Sequence, residues 1–111
     1  MYDGTFTTYQ AQARKTAIYP SDMAVIYPAL EICGESGEIA ELVKKAIRDD
    51  GGAFSPERDA RLRKEIGDVL WGLANLATDK GWKLSEIAGE NLDKLAHRQE
   101  RDALGGSGDD R

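Results

Sequence analysis

The chain has 111 residues, of which 41% are hydrophobic and 32% are charged, and its formal net charge is −5 at pH 7. This length suits one domain with a single core, and the composition excludes a disordered acidic tail. The acidic balance disfavours nucleic acid as a partner, because a phosphate backbone requires a basic face. No apolar run approaches the ~20 residues of a bilayer span and no leader opens the chain, so no membrane partner is expected.

Cysteine and histidine each occur once, as Cys33 and His97. A lone cysteine cannot form an internal disulfide, which makes the reducing cytoplasm the expected compartment. A lone histidine excludes multi-histidine metal sites. A di-iron bundle would require Glu-x-x-His pairs, and Lys94 stands where that glutamate should be.

Turn and capping residues divide the chain into four predicted helices. The first covers about residues 5–18, and the second about residues 22–48. Pro28 lies in the second helix, so it either kinks that helix or begins its main part.

The second half of the chain predicts two further helices. Ser55 is the expected N-cap of the third, which runs to about residue 80 and stops at Gly81. Ser85 is the expected cap of the fourth, which fades out near Leu104.

Apolar residues recur at helical spacing in the last three of these segments. Amphipathic helices with short links predict an all-α, four-helix antiparallel bundle-like domain over residues 1–104, followed by a Gly-rich C-terminal tail over 105–111. The expected apolar faces are Ile32, Ile39, Val43 and Ala46; Leu62, Ile66, Val69, Leu73 and Ala77; and Leu84, Ala88, Leu92 and Leu95.

Two carboxylate pairs border these apolar faces on successive helices. Glu35 and Glu38 are three residues apart on the second helix, and Glu65 and Asp68 have the same spacing on the third. The intervening chain is long enough for one helix to end and the next to return antiparallel. The two pairs are therefore expected to face each other across the helix–helix interface.

Four carboxylates at one site repel one another, by about 4 kcal/mol per pair at 4 Å and an effective dielectric near 20. They must protonate in part, separate or bind cations. An oxygen-only ligand set suits hard ions, so the cofactor expected here is Mg²⁺, with Mn²⁺ possible. The alternative is a solvated acidic surface, since glutamates are common on helices.

A third polar stripe lies on the fourth helix, where Asn91, Lys94 and Arg98 follow one another at helical spacing. Carboxylates for metal together with cations for a polyanion are typical of phosphate-ester chemistry. An ordinary salt bridge is the competing interpretation, and for Arg98 alone it is the preferred one.

The segments LEICGESGEIAELVKK (30–45) and KEIGDVLWGLANLATDKGWKLSEIAGENLDKLAHRQER (64–101) resemble the MazG-like all-α nucleoside triphosphate pyrophosphohydrolases. The hallmark of that family is E-x-x-E followed by E-x-x-D, which falls here on Glu35, Glu38, Glu65 and Asp68. The similarity extends over nearly the whole chain, including its opening residues and its GGSGDDR end.

The resemblance implies a Mg²⁺-dependent homodimer or homotetramer that cleaves a nucleoside triphosphate between the α and β phosphates and clears non-standard or surplus nucleotides. The four carboxylates would bind metal and serve catalysis. By the same carry-over, the residues expected to contact phosphate or sugar are Lys45, Asn91, Lys94 and Arg98, and Arg111 is expected near phosphate. Side-chain chemistry adds Trp71 (or Trp82 or Tyr9) and Gln10 as residues expected to contact the base.

Where relatives carry an aromatic residue one turn after the aspartate, this chain has Gly72, which puts that wall of a base pocket in doubt. Two other functions compete with the first. A phosphoribosyl-ATP pyrophosphatase would share the fold and the bond cleaved, whereas a non-catalytic helical interaction module would leave the acidic stripe solvated.

Overall fold

The structure, a computed structural model, describes residues 1–101. Within that range it is all-helical, with no strand. The helices are α1 (Phe6–Arg14), α2 (Ile26–Asp50), α3 (Pro56–Asp79) and α4 (Leu84–Glu100), with a 3-10 turn at Ser21–Met23. The predicted all-α class and the four helices are confirmed.

Capping residues account for two of the helix starts. Thr5 caps α1 through its side chain, which accepts the N–H of Thr8, and Ser55 caps α3 by accepting the N–H of Arg58. Pro56 occupies the first helical position of α3, as predicted. The glycine expected after α3 is Gly81, whose positive φ of 74° suits the chain reversal there.

Three predicted boundaries were wrong. Helix α2 begins at Ile26 rather than at about residue 22, where the chain forms only the 3-10 turn Ser21–Met23. Helix α1 ends at Arg14 rather than Ile18, because the chain turns toward Pro20. Helix α4 begins at Leu84, so Ser85 lies inside it and is not its cap. The side chain of Gln10 from α1 accepts the N–H of Leu84 at 2.9 Å, so this helix start is satisfied by a tertiary contact.

Pro28 lies in the first turn of α2, where its missing N–H costs no hydrogen bond. Of the two interpretations of Pro28, the structure favours the one that places it at the beginning of the main helix. Val25 precedes the helix with a φ of 70°, a conformation that few β-branched residues adopt.

Helices α2 and α3 pack antiparallel along their length, and α3 also contacts α1 and α4. Gly72 of α3 faces Pro28 and Ile32 of α2 so closely that an added Cβ would lie 2.8 Å from Cγ1 of Ile32. The backbones of α2 and α3 therefore approach each other closely at Gly72. An aromatic pocket wall at that position is therefore absent because α2 fills the space.

The buried apolar core of the described chain is thin. It consists mainly of small residues, and several members of the predicted apolar faces are exposed, Leu92 by as much as 65%. The radius of gyration is 16.8 Å, whereas a compact chain of this size has about 13 Å. The buried apolar residues are Ala13, Leu42, Ala46, Ala74, Ala77 and Leu84.

None of the helices within residues 1–101 has the length and apolar character needed to cross a membrane. Residues 102–111 lie outside the described range. The predicted tail over 105–111 and the expected role of Arg111 therefore stay predictions, as does the end of the domain at 104.

Candidate metal centre

Three of the four predicted carboxylates meet at one point between α2 and α3. Glu35, Glu65 and Asp68 each offer one oxygen, and these oxygens all lie within 4.8 Å of one another. Glu65 and Asp68 are one turn apart on α3, and the antiparallel packing of α2 brings Glu35 opposite them. The sequence-based expectation that the two pairs face each other therefore agrees with the fold for these three residues.

The carboxyl group of Glu65 is placed as a metal ligand would be. Its Oε2 is buried and has no hydrogen-bond partner among the described residues. A hydrogen bond to the carboxylate of Glu35 raises the pKa of Glu65 above its usual value, and burial and the negative charge of Glu35 add to that effect. An orphaned buried oxygen beside two further carboxylates fits a divalent cation with oxygen ligands.

Glu38 is exposed and does not belong to this carboxylate group. It lies three residues beyond Glu35, which turns its side chain about 60° around the helix axis. Its predicted place among the metal ligands remains a prediction.

Helix α1 brings an aromatic residue close to the carboxylates. Tyr9 packs against the buried residues Ala13, Ala74 and Leu84 and makes an edge-to-face contact with Tyr2 at 6.3 Å between ring centroids. Burial raises the pKa of Tyr9, and the charges of Tyr2 and Asp68 raise it further. Tyr9 therefore lies within electrostatic reach of Asp68.

The residues predicted to bind phosphate or sugar differ in their exposure to solvent. Lys45 is exposed on α2, two turns beyond Glu38, and its charge helps to lower the pKa of the Glu41 carboxyl, after the hydrogen bond and charge of Lys44. On α4, Asn91 is exposed, Lys94 half-buried and Arg98 only 3% exposed. Contact of these residues with phosphate stays a prediction.

Two residues expected to bind the base have structural partners. The indole Nε1 of Trp71 donates to Oγ1 of Thr16 at 2.7 Å, and its ring meets Tyr19 edge-on. The amide of Gln10 donates to Oγ1 of Thr78 and to the carbonyl of Trp82, in addition to its bond with α4. Both side chains link elements of the fold, and no observation tests their contact with a base.

The sequence patterns alone did not reveal the close approach of α2 and α3 at Gly72. A glycine inside a helical pattern is a signal for such an approach, because it often marks a backbone contact. Tyr9 was named from the sequence only as an alternative base-stacking residue, and its place near Asp68 follows from the packing of α1 against α3.

Residues 1–101 form an all-α domain with a carboxylate cluster between two long antiparallel helices. A family model, the MazG nucleotide pyrophosphohydrolase domain, matches residues 28–101, and the chain belongs to this family. The resemblance identified from the sequence is thus confirmed. The match includes all but the first two residues of α2 and all of α3 and α4, and therefore every residue of the carboxylate cluster.

Among curated proteins, the chain is similar to the Gene 37 protein of Mycobacterium phage L5. The two are 41% identical over 109 residues, which span 93% of this chain and 96% of the phage protein. No solved structure matches the chain.

Proposed function

We propose that the protein is a metal-dependent nucleoside triphosphate pyrophosphohydrolase, which converts an NTP or dNTP and water to the monophosphate and pyrophosphate. The convergence of Glu35, Glu65 and Asp68 within 4.8 Å carries this proposal, together with membership of the family. Clearing non-standard or surplus nucleotides in the cytoplasm is the role proposed for it.

Glu35, Glu65 and Asp68 would hold Mg²⁺ or Mn²⁺, and Glu38 would join them when substrate is bound. A divalent cation there neutralises the charge of the triphosphate and of the departing pyrophosphate. One of the carboxylates orients the attacking water by accepting its proton in a hydrogen bond. The chain need supply no covalent nucleophile, since water attacks the phosphorus directly.

Phosphate and sugar are assigned to Lys45, Asn91, Lys94 and Arg98. A triphosphate carries about four negative charges, which the carboxylates repel. Lysine and arginine side chains beside the acidic cluster would attract the phosphates. The proposal predicts that Lys94→Ala raises the substrate concentration needed for half-maximal rate more than it lowers the maximal rate.

The direct test is a screen of ordinary, deoxy and damaged nucleoside triphosphates with Mg²⁺, in which pyrophosphate and orthophosphate are resolved. Pyrophosphate release with at least one substrate is expected. Release of orthophosphate alone, or of nothing, would contradict the proposal.

Charge-neutral variants locate the activity. Glu65→Gln and Asp68→Asn should abolish turnover and leave the helical circular dichroism unchanged. Asp93→Asn on the exposed face of α4 is the matched control and should turn over like the wild type. Glu38→Gln should also abolish turnover, and wild-type turnover in this variant would remove Glu38 from the ligand set while leaving the other three.

The substrate panel also separates the alternatives. A phosphoribosyl-ATP pyrophosphatase would release pyrophosphate from phosphoribosyl-ATP and from none of the simple triphosphates. A non-catalytic helical module would bind no Mg²⁺ or Mn²⁺ at millimolar concentration and would release no phosphate.

We further propose that the protein works as a homodimer or homotetramer. The small core and the exposure of large apolar side chains such as Leu30, Ile66 and Leu92 support assembly, because burying them against a second copy would extend the core. Sedimentation equilibrium should give a mass of two or four chains, and a monomer at micromolar concentration would contradict this proposal.

A further inference from the structure

An open groove lies between α1 and the turn that joins α3 to α4. Its volume is about 420 Å³, which is within the range of small-molecule sites. Ala11 and Arg14 line one side, and Gly81, Trp82 and Lys83 line the other. No member of the carboxylate cluster lines the groove.

Positive charge is concentrated around this groove although the whole chain is acidic. Neither Lys80 nor Lys83 forms an ion pair with any residue in the range 1–101, and the Nζ of Lys80 lies 5.5 Å from the centroid of the Trp82 ring. Arg14 has 43% of its side chain exposed and uses Nη1 for its bonds to other residues. Its remaining guanidinium N–H groups can bind an anion from the solvent.

Two acidic groups lie close to these cations. The side chain of Asp79 is 1% exposed, pairs with Arg14 and accepts bonds from Tyr19 and Val25. Glu86 lines a neighbouring groove, which shares Trp82 and Lys83 with this one. Neither carboxylate lines the groove itself, so an anion there would meet Arg14 and Lys83.

Trp82 adds an aromatic surface, because 55% of this residue is exposed. A large ring of this kind beside cations favours a ligand that has both a planar ring and a negative charge. An exposed indole stacks on a nucleobase without selecting one base over another.

The groove is held in shape by Gln10. Its amide bonds to Thr78, to the carbonyl of Trp82 and to the N–H of Leu84, at distances of 3.0, 2.9 and 2.9 Å. These bonds tie the α3–α4 turn to α1, so little ordering is needed when a ligand binds.

We propose that this groove is a second binding site, for a nucleoside monophosphate, and that it works without a metal ion. The base stacks on Trp82, and the phosphate pairs with Lys83 and Arg14. The site is separate from the metal centre, since Thr78, which lines the groove, follows Asp68 along α3 by a helical distance of about 15 Å. The proposal goes beyond the hydrolase activity and does not depend on it.

The test is isothermal titration of the full chain in EDTA with the ribonucleoside monophosphates, the corresponding nucleosides and inorganic phosphate. Binding of at least one monophosphate is expected, with weaker binding of its nucleoside and of phosphate. Lys83→Gln should weaken that binding about tenfold, the effect of one lost charge-assisted hydrogen bond. Trp82→Leu should weaken it as well, and its helical circular dichroism shows whether the fold is kept.

Two controls separate this site from the metal centre and from general charge effects. Lys15→Gln removes an exposed cation one residue beyond Arg14 that does not line the groove, and it should bind like the wild type. Asp68→Asn should also bind like the wild type. No binding up to millimolar monophosphate, binding that Asp68→Asn abolishes, or binding unchanged by Lys83→Gln would overturn the proposal. The absence of hydrolase activity would not contradict the proposal of this second binding site.

Discussion

The carboxylate of Asp79 accepts the backbone N–H of Val25 at 2.9 Å, and Val25 is the non-glycine residue with positive φ in the described range. Such a conformation costs about 1–3 kcal/mol and persists where surrounding bonds hold it. Asp79 also accepts the hydroxyl of Tyr19 and ion-pairs with Arg14 at 2.6 Å. One buried side chain at the end of α3 thus fixes α1, the following turn and the entry to α2.

Asp79→Ala should lower the free energy of unfolding by about 2–4 kcal/mol, because three donors lose their acceptor and the strain at Val25 is no longer held. Urea denaturation measures the change. Asp93→Ala, an exposed position on α4, should stay within about 0.5 kcal/mol of the wild type. Equal effects of the two variants would show that the Asp79 network contributes nothing.

The stability that the Asp79 network contributes depends on pH. Burial alone would raise the pKa of Asp79, but the bonds from Val25, Tyr19 and Arg14 outweigh it, and the pKa is lowered. Because the pKa is lower in the folded than in the unfolded state, the ionised carboxylate contributes stability at pH values above the unfolded-state pKa. That contribution is lost as the pH falls through the folded-state pKa. The stability difference between the wild type and Asp79→Asn should therefore shrink as the pH falls below 3.8, the ordinary value.

Gln10→Ala should destabilise the protein by about 1–2 kcal/mol, because the first N–H of α4 loses its acceptor together with two further bonds. Urea denaturation again provides the measurement. Gln12→Ala, an exposed position of the same helix, should change stability by less than about 0.5 kcal/mol. Similar losses in both variants would mean that Gln10 does not cap α4.

Local sequence patterns predicted the helices well where their ends are capped by neighbouring residues. Ser55 and Pro56 mark the start of α3 because both signals act within one turn. The start of α4 was predicted two residues too late, since its first N–H is satisfied by Gln10, which lies far away along the chain. No local pattern contains that contact.

The carboxylate spacing predicted the convergence of Glu35, Glu65 and Asp68 for a similar reason. Residues three apart share a helix edge, so Glu65 and Asp68 had to point the same way. Glu35 meets them because α2 and α3 return antiparallel, whereas Glu38 lies one turn further along α2, exposed and outside the carboxylate group. Periodicity likewise found the apolar faces without showing that Leu92 would remain exposed in a single chain.

Gly72→Ala should lower the free energy of unfolding by about 1–2 kcal/mol, because overpacking against Ile32 exceeds the gain in helix propensity. Gly89→Ala on α4 has no atom within 4 Å of the added Cβ and should stabilise the protein slightly. Thermal denaturation distinguishes the two. A stabilised Gly72→Ala variant would contradict the close approach of α2 and α3.

Metal-free stability should depend on pH through Glu65. The pKa of Glu65 is raised in the folded state, so the protonated carboxyl contributes stability at pH values below its ordinary pKa of 4.5. That contribution is lost as the pH rises through the folded-state pKa. In EDTA, the melting temperature of Glu65→Gln should exceed that of the wild type by a margin that grows toward neutral pH. Adding Mn²⁺ should stabilise the wild type and leave Glu65→Gln unchanged. A difference in melting temperature that stays constant with pH would contradict the contact between the Glu65 and Glu35 carboxyl groups.

The most direct measurement is anomalous diffraction from crystals grown with Mn²⁺. A peak between α2 and α3, bonded by oxygens of Glu35, Glu65 and Asp68 at about 2.2 Å, is the predicted result. Full occupancy of Mn²⁺ elsewhere, with these oxygens turned into solvent in the complete assembly, would contradict the assignment of the metal centre.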